Sequence, residues 1–299
     1  KYTMDFMGRY YDWVLGRHDG EFPPLPDKSL VTLADEAIPD LAQEGIGPYL
    51  ESVRILGQRT GEMHVALASA TGNPAFDPEP FTDLTRRSLY QSLRNLTSHT
   101  FTQLRRQLRS LPDGTKDMAL RALESEGEVL HRFRTVFETR TGGRRTRIHG
   151  DYHLGQVLYT GRDFVIIDFE GEPARPLSER RLKRSPLRDV AGMIRSFHYA
   201  PHAALLGQAP MVIRDEDKPI LQQWGEYCCA WVSAAFLNSY LQAARQSNFL
   251  PRSVEELREL LDAYILEKAV YEVGYELNNR PNWVGVPLRG ILQLLEAQS

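Results

Sequence analysis

The sequence predicts a mainly α-helical fold that carries one small β island, an α+β arrangement, and two observations indicate it. Apolar residues recur at three- and four-residue spacing through residues 1–144 and again towards the end of the chain, as in helices that bury one face. From 145 to 170 the period changes, and short runs of β-branched and aromatic residues flank a turn. With 299 residues, 42% of them hydrophobic, the chain can bury a large core.

The first part, 1–144, is predicted to be helical almost throughout. A turn with Pro and Gly, "LPDGT" at 111–115, separates its last two helices. The predicted helices cover 1–14, 28–43, 47–70, 81–111 and a stretch from that turn to Phe137.

The middle part, 145–170, is predicted to contain three short strands. "RTRIHG" (145–150) forms the first, and "QVLYTGRDFVIIDFEG" (156–171) forms a hairpin that turns at 160–163. The last part, 171–299, becomes helical after Ser185, a capping residue, and Pro186, which suits a first helical position. Its predicted helices cover 187–200, 218–247, 253–278 and 286–296.

Composition and charge argue against several classes of protein. A net charge of −3 and a pI of about 6.3 provide no basic field for nucleic acid or an anionic membrane. No apolar stretch approaches the roughly 18 residues of a membrane span, and no cleavable signal pattern opens the chain. The adjacent Cys228 and Cys229 would point about 100° apart on a helix, which disfavours a mutual disulfide. We therefore expect a cytoplasmic protein with no nucleic-acid or membrane partner.

The stretch "RIHGDYHLGQVLY" (147–159) is the part of the sequence richest in groups that bind metals or accept protons. A phosphoryl-transferring kinase needs an Asp that accepts the acceptor's hydroxyl proton, a polar metal ligand a few residues later, and a second Asp for Mg²⁺. Asp151 is followed after four residues by Gln156, and Asp168 opens "DFE" one hairpin later. This spacing matches the kinase pattern H-R-D-x-x-x-x-N followed by D-F-G, with Gln for Asn and Glu for Gly.

The residue types also suit Mg²⁺, which prefers hard oxygen ligands and usually binds one or two carboxylates together with phosphate oxygens. Gln156 and Asp168 are therefore the candidate metal ligands, with Glu170 as a further candidate. Asp151 is the candidate catalytic base. Asp189, at the start of a predicted helix, favours the helix dipole and is a candidate to support the catalytic loop together with His149.

An alternative function for the same stretch is that of a metal-dependent hydrolase, which would use His149, Asp151 and His153. No third His lies nearby, so this arrangement suits a hydrolytic zinc site poorly. We interpret His153 as a structural or substrate-contacting residue.

Two further segments have open interpretations. The basic run "LSERRLKRS" (177–185) is either a solvated charged loop or a contact for phosphate or substrate. "YEVGYELNNRPNW" (271–283) combines aromatic faces with planar polar groups, as sugar sites do, but a helix end that packs its aromatics would look similar. The candidate sugar ligands in it are Glu276, Asn279, Arg280 and Trp283.

The segment "HGDYHLGQVL…FVIIDFEGEPARPLSERRLKRSPLRDVAGMIRSF" resembles bacterial maltokinases, including those fused behind trehalose synthase. The likeness extends to "RRSLYQSLRNLT" (86–97) and "YEVGYELNNRPNWVGVPLRG" (271–290). These enzymes are related to the aminoglycoside phosphotransferases and have a protein-kinase-like fold.

The resemblance implies ATP-dependent phosphorylation of maltose at its anomeric hydroxyl, which supplies maltose 1-phosphate for α-glucan and glycogen synthesis. It implies Asp151 as the base, Gln156 and Asp168 as Mg²⁺ ligands, and 171–299 as the substrate-binding part. It also makes a trehalose synthase domain a candidate partner in the parent protein.

The sequence departs from the family in the motifs that bind the nucleotide. No Gly-rich loop and no strand-borne Lys precede residue 145, and "HVALAS" (64–69) has no Lys where V-A-I-K has one. We therefore expect this chain to be the C-terminal lobe, with the β-rich N-terminal lobe absent. On its own it should show no ATP-dependent kinase activity, while still binding maltose weakly.

Two other functions stay open beside maltokinase and hydrolase. One is a kinase for another small alcohol, such as an amino alcohol or an aminoglycoside, although such enzymes usually have a more acidic pocket. The other is a non-catalytic sugar-binding or assembly module of a synthase fusion.

Overall fold

The computed structural model describes residues 1–17, 21–69, 72–138, 142–173 and 175–296. These residues form twelve α-helices, joined by short 3₁₀ turns and one π-helical turn. The helices are α1 (Tyr2–Arg17), α2 (Leu30–Ala34), α3 (Asp40–Ile46), α4 (Pro48–Leu67), α5 (Asp83–Gln107), α6 (Asp113–Glu124), α7 (Glu126–Glu138), α8 (Leu177–Arg180), α9 (Leu187–Ala203), α10 (Lys218–Ala244), α11 (Val254–Asn279) and α12 (Gly285–Glu296).

The strands form two small antiparallel sheets, so the predicted class, mainly α with a small β island, is confirmed. In one sheet β1 (Glu79–Pro80) pairs with β2 (Arg144–Arg145). In the other β3 (Val157–Tyr159) pairs with β4 (Phe164–Ile166), which confirms the predicted hairpin and its turn. Within the described residues, no helix is long and apolar enough to cross a membrane.

Two predicted helices are each divided in the structure. The one over 28–43 becomes α2 and α3, because the residue before Pro39 is pushed towards extended backbone and Pro39 itself precedes the first turn of α3. The helix that runs to Phe137 is interrupted at Ser125, which ends α6. The predicted helix over 47–70 ends at Leu67; Ala70 lies outside the described residues.

The predicted strand over 145–150 was largely wrong. Only Arg145 of that stretch pairs in a sheet, and Thr146 adds an isolated bridge to Arg184. The following backbone N–H groups of His149 and Gly150 bind a side chain instead of another strand. Hydrogen bonds to a side chain thus take the place of strand pairing at His149 and Gly150.

The core lies where α4 crosses α10, a helix with buried residues on all sides, including Trp231, Phe236 and Tyr240. The two helices approach closely through glycine: a Cβ at Gly57 would lie 2.3 Å from the Phe236 carbonyl oxygen. Cysteines 228 and 229 are buried here as free thiols.

The start of α9 lies directly beneath the loop that follows β2. A Cβ at Gly192 would lie 2.6 Å from the Tyr152 carbonyl oxygen, so only glycine permits this approach. The hydroxyl oxygen of Ser196, one turn later, accepts the backbone N–H of Leu154 at 2.9 Å. The 147–156 loop is therefore held against α9 along its length.

Candidate active site

The 147–156 loop is anchored by the buried carboxylate of Asp189, in the first turn of α9 and 2% exposed. Its Oδ2 accepts the backbone N–H of His149 at 2.7 Å, and its Oδ1 accepts that of Gly150 at 2.9 Å. Gly150 has φ 87°, a left-handed backbone that glycine adopts without strain. This turn directs two successive N–H groups at one carboxylate and places Asp151 next in the chain.

His149 is buried under the loop, and its ring nitrogens serve the loop itself. Its Nε2–H donates to the Ile167 carbonyl oxygen at 2.8 Å, and the ring contacts Phe169 and Tyr152. That nitrogen carries its proton and cannot bind a metal, and Nδ1 accepts the backbone N–H of Asp151 at 3.4 Å, so both ring nitrogens are engaged within the loop. This geometry argues against a zinc hydrolase built on His149 and His153.

Asp151 has a side chain that is 16% exposed, and its Oδ2 lies 3.8 Å from His153 Nε2. Burial acts to raise the pKa of this carboxyl, but His153 and the positive charge of Lys268 outweigh it and hold the pKa below its ordinary value. Asp151 is therefore a carboxylate at neutral pH, as a proton acceptor must be.

A small cavity of about 30 Å³ lies beside Asp151. Its remaining wall comes from the loop, the segment after β4, α9 and α11, through Gly150, Tyr152, Glu172, Arg175, Arg188, Asp189, Gly192, Tyr264, Glu267, Lys268 and Tyr271.

The candidate metal ligands Gln156 and Asp168 meet at the end of the β3–β4 hairpin. The Ile167 N–H donates to the Gln156 carbonyl oxygen at 3.0 Å, and Gln156 Nε2 donates to Asp168 Oδ2 at 2.8 Å. Asp168 has φ 65°, and among the described residues it alone is a non-glycine with positive φ. Such strained backbone concentrates at functional sites. Glu170 is exposed nearby.

The donor set of this pair fits Mg²⁺. Asp168 provides a carboxylate, and rotation of the Gln156 amide would present its oxygen, which matches a cation held partly by phosphate oxygens. Within the described ranges no three His, Cys, Asp or Glu side chains converge as a complete protein-only metal site. A cation here would therefore take further ligands from water or a bound molecule.

Replacing His153 with Gln should raise the pKa of the Asp151 carboxyl. The exchange removes a positive partner while burial, which disfavours the charged form, remains. The carboxyl ¹³C resonance of Asp151, followed through an acid titration, should then shift at a higher pH than in the wild type. The same exchange at the exposed His99 serves as the control. An unchanged midpoint in the His153 variant would show that His153 does not act on Asp151.

The candidate sugar residues lie at and just beyond the C-terminal end of α11; Glu276 is about 12 Å along the helix from Lys268 at 1.5 Å per residue. Glu276, 1% exposed, accepts hydrogen bonds from Arg280 at 2.7 and 3.0 Å and from the Tyr199 hydroxyl at 3.1 Å. The Arg280 guanidinium lies 4.6 Å from the Trp283 ring centre.

Burial raises the pKa of Glu276, against the lowering effect of Arg280. The structure thus brings Glu276, Arg280 and Trp283 into one cluster. Asn279 lies exposed at the helix surface, where its amide donates to the Tyr275 carbonyl oxygen. His153 lies at Asp151 and not with this cluster.

The basic run 177–185 is only partly a solvated loop. Lys183 is buried and donates to Glu79 Oε1 at 2.6 Å and to the Pro74 carbonyl oxygen at 2.5 Å. The backbone of Arg184 pairs with that of Thr146. The segment therefore binds β1, the residues just before it and the residue that follows β2.

Sequence reasoning missed several side chains beside Asp151. Glu172, Lys268 and Tyr271 line the same cavity, and Lys268 Nζ lies 4.9 Å from the Tyr271 ring centre. The spacing of Tyr264, Glu267, Lys268 and Tyr271 on one helical face was a usable signal. Sequence alone could not indicate that this face meets the loop.

A larger cavity, about 570 Å³, lies elsewhere, among α9, α10, α11 and α12. Ile194, His198, Ser233 and Arg289 are among its lining residues, and Asp151, Gln156 and Asp168 are not. Asp151 therefore lines the smaller cavity, and Gln156 and Asp168 lie outside the lining of both.

The fold is similar to that of solved glucosamine kinases. A crystal structure of glucosamine kinase superimposes with a TM-score of 0.65 at 20% sequence identity, covering 92% of this chain and 59% of that one. Glucosamine kinase in complex with glucosamine, ADP and inorganic phosphate superimposes with a TM-score of 0.64 at 21% identity, covering 89% and 56%. The chain therefore has a sugar-kinase-like fold.

Curated relatives are glucosamine kinases too. That of Streptacidiphilus jiangxiensis is 28% identical over 150 residues, which is 50% of this chain and 31% of the relative. That of Mycolicibacterium smegmatis (strain ATCC 700084 / mc(2)155) is 32% identical over 151 residues, 50% of this chain and 34% of the relative. The matched length is about a third of these relatives. No protein-family model matches the chain. These likenesses support a sugar-kinase-like fold and do not indicate a maltokinase or a trehalose synthase fusion in particular.

Proposed function

We propose that this chain carries the catalytic loop and acceptor side of an ATP-dependent sugar kinase. The observation that carries the proposal is the grouping of Asp151, Gln156 and Asp168 on a loop and hairpin fixed by Asp189, in a sugar-kinase-like fold. Cys228 and Cys229 are free thiols, as is usual in the reducing cytoplasm. The use of ATP as phosphoryl donor agrees with the same location.

In this proposal Asp151 orients a sugar hydroxyl and accepts its proton. The hydroxyl oxygen bonds to the γ-phosphorus of ATP as the bond from that phosphorus to the bridging oxygen breaks, and ADP leaves. Asp168 and Gln156 would hold Mg²⁺, which neutralises phosphate charge when it is bound. The lowered pKa of Asp151 keeps it in the accepting form through neutral pH.

The proposed acceptor is an amino sugar of the glucosamine type. Glu267 lines the cavity beside Asp151; its Oε1 accepts a hydrogen bond from Arg188 at 2.7 Å, and its buried Oε2 has no hydrogen-bond partner within the described part of the chain and suits an ammonium group. The relatives named above are glucosamine kinases, which supports the same choice.

Maltose is the second candidate acceptor. The cluster of Glu276, Arg280 and Trp283 offers an aromatic face and planar polar groups, as neutral sugars require. Its position farther along α11 suits an acceptor longer than one ring. Transfer to the anomeric hydroxyl of maltose would yield maltose 1-phosphate.

The test is ADP release by the full natural protein with Mg–ATP and a panel of glucosamine, glucose, N-acetylglucosamine and maltose. Glucose and N-acetylglucosamine are matched controls, because they lack the ammonium group. Faster turnover with glucosamine than with both supports the amino-sugar acceptor, and turnover with maltose alone supports the second candidate. Sugar binding by calorimetry without any sugar-dependent ADP release would contradict the kinase proposal and favour a binding module.

A further inference from the structure

The larger cavity, about 570 Å³, has the size and the wall of a small-molecule site. Such sites generally measure about 300–1,000 Å³ and have mostly apolar walls with a few polar groups. Apolar side chains from several helices line this cavity, among them Leu33, Met118, Ile194, Leu205, Ile265 and Val286. Asp151, Glu276 and Trp283 do not line it, so neither the catalytic loop nor the candidate sugar cluster accounts for it.

The charged groups in this wall balance one another. Among the described residues, three basic and three acidic side chains line the cavity: Lys28, Arg195, Arg289, Glu226, Asp262 and Glu296. Arg289 binds Glu226 at 2.7 Å, and Arg195 Nε donates to Glu272 Oε2 at 2.9 Å. A charged ligand would lose its hydration and meet charges that are already compensated, which costs free energy. The wall therefore favours an uncharged ligand.

His198 lines the cavity and has a hydrogen-bond donor without a partner. Its Nδ1 lies 3.0 Å from Arg195 Nη1, and a guanidinium only donates hydrogen bonds, so Nδ1 is the acceptor. Burial and the charge of Arg195 lower the pKa of His198 to about 3. The ring is therefore neutral at pH 7 and carries its single hydrogen on Nε2, from which no group in the described part of the chain accepts a hydrogen bond.

Two further polar groups of the wall have no hydrogen-bond partner within the described residues. Ser233 of α10 is 1% exposed, and its hydroxyl is unpartnered, although a serine within a helix can bond the carbonyl oxygen one turn earlier. Nε2 of His202, one turn after His198, is also unpartnered, and burial lowers the pKa of His202 to about 4. Buried polar groups are normally hydrogen-bonded, because their desolvation otherwise costs free energy. A ligand with a polar oxygen would supply what these groups lack.

We propose that this cavity is a second ligand site, which binds an uncharged small molecule with an apolar body. A hydroxyl or carbonyl oxygen of that molecule hydrogen-bonds to the polar groups of His198 and Ser233. The site is separate from Asp151, and the inference does not rest on the proposed function.

The experiment is a titration of the full natural protein, ¹³C-labelled at its methionine methyl groups, with 2-naphthol. This compound is uncharged at pH 7 and joins two apolar rings to one hydroxyl. The Met118 methyl lies in the cavity wall and reports binding there, and Met63 of α4, outside that wall, is the internal control. We expect a saturable shift of Met118 alone, with a Kd on the order of 0.1–1 mM for a ligand of this size.

Two charged analogues with the same rings test the preference for an uncharged ligand. Naphthalene-2-carboxylate and 2-naphthylmethylammonium should bind at least about tenfold more weakly than 2-naphthol, since a charge without a counter-charge must be desolvated. No shift of Met118 with 2-naphthol, or equal affinity for either charged analogue, would overturn the proposal.

Ser233→Ala and Ser247→Ala form a matched pair of variants. Each removes a buried hydroxyl that has no partner within the described residues, but Ser247 lies outside the cavity wall. Ser233→Ala should weaken 2-naphthol binding about three- to tenfold, the usual range for one hydrogen bond, and Ser247→Ala should leave it unchanged. Unchanged binding in Ser233→Ala would overturn the assigned hydrogen bond.

Ala230→Trp, also in the wall on α10, should abolish the Met118 shift, because the larger side chain occupies the cavity. A wild-type position of the Met63 resonance checks that this variant is folded. Wild-type affinity in a folded Ala230→Trp variant would place the probe elsewhere and contradict the proposal.

Competition with sugars keeps this result apart from the proposed function. Glucosamine and maltose, at concentrations that saturate turnover, should not displace 2-naphthol from Met118. Displacement by either sugar would show that the cavity is the acceptor site itself, which overturns a second site but not the kinase. If the protein phosphorylates no sugar, the proposed function fails, and the Met118 titration still decides whether the cavity binds its ligand.

Discussion

Replacement of Asp151 by Asn is expected to lower the turnover number of sugar phosphorylation by about 10²–10⁴-fold, the usual loss for a general base. Asn keeps the size of the side chain but cannot accept the hydroxyl proton. The surroundings that hold the pKa of Asp151 low cannot compensate, because they act on a charge that is no longer present. The measurement is kcat with saturating Mg–ATP and the preferred sugar.

The matched control is Asp163→Asn. Asp163 lies in the hairpin turn of the same small sheet, where Arg59 binds its carboxylate at 2.9 Å, and the pair is partly exposed. Exposed pairs of this kind contribute little to stability, so turnover should stay near the wild-type value. Near-normal turnover in Asp151→Asn would show that another group accepts the proton.

Replacement of Asp168 by Asn should lower turnover on the order of 10²–10³-fold and raise the Mg²⁺ concentration needed for half-maximal rate. The exchange removes the charge that would hold the cation but retains an oxygen and the left-handed backbone at φ 65°, which Asn tolerates better than Ala. The loss should therefore be electrostatic and not a collapse of the hairpin.

A Mg²⁺ titration separates the two large effects. Excess Mg²⁺ should recover part of the activity of Asp168→Asn and none of that of Asp151→Asn, because only Asp168 is assigned to the cation. Equal Mg²⁺ requirements in Asp168→Asn and the wild type would show that Asp168 does not bind the cation.

Local patterns were reliable where a single segment contains all the interactions. The β3–β4 hairpin lies where its alternating residues and turn predict it, and the spacing of Gln156 and Asp168 across it places their side chains 2.8 Å apart. These residues are 12 positions apart, and the hairpin register alone brings them together. The strand expected over 145–150 is largely missing because Asp189, 40 positions beyond His149, takes up the backbone donors.

The sequence by itself determined the fold class, most of the helices and the order of Asp151, Gln156 and Asp168 along the chain, because periodicity and spacing act over neighbouring residues. Only the tertiary structure decided that His64 reaches Asp189 across 125 positions, that Lys268 lies beside Asp151 and that Lys183 is buried against Glu79. Contacts of this range depend on how whole helices pack. Helix packing depends on the shapes of the helix surfaces and on close approaches such as that of α4 to α10 at Gly57. A local sequence pattern does not indicate which distant residue a given side chain will contact.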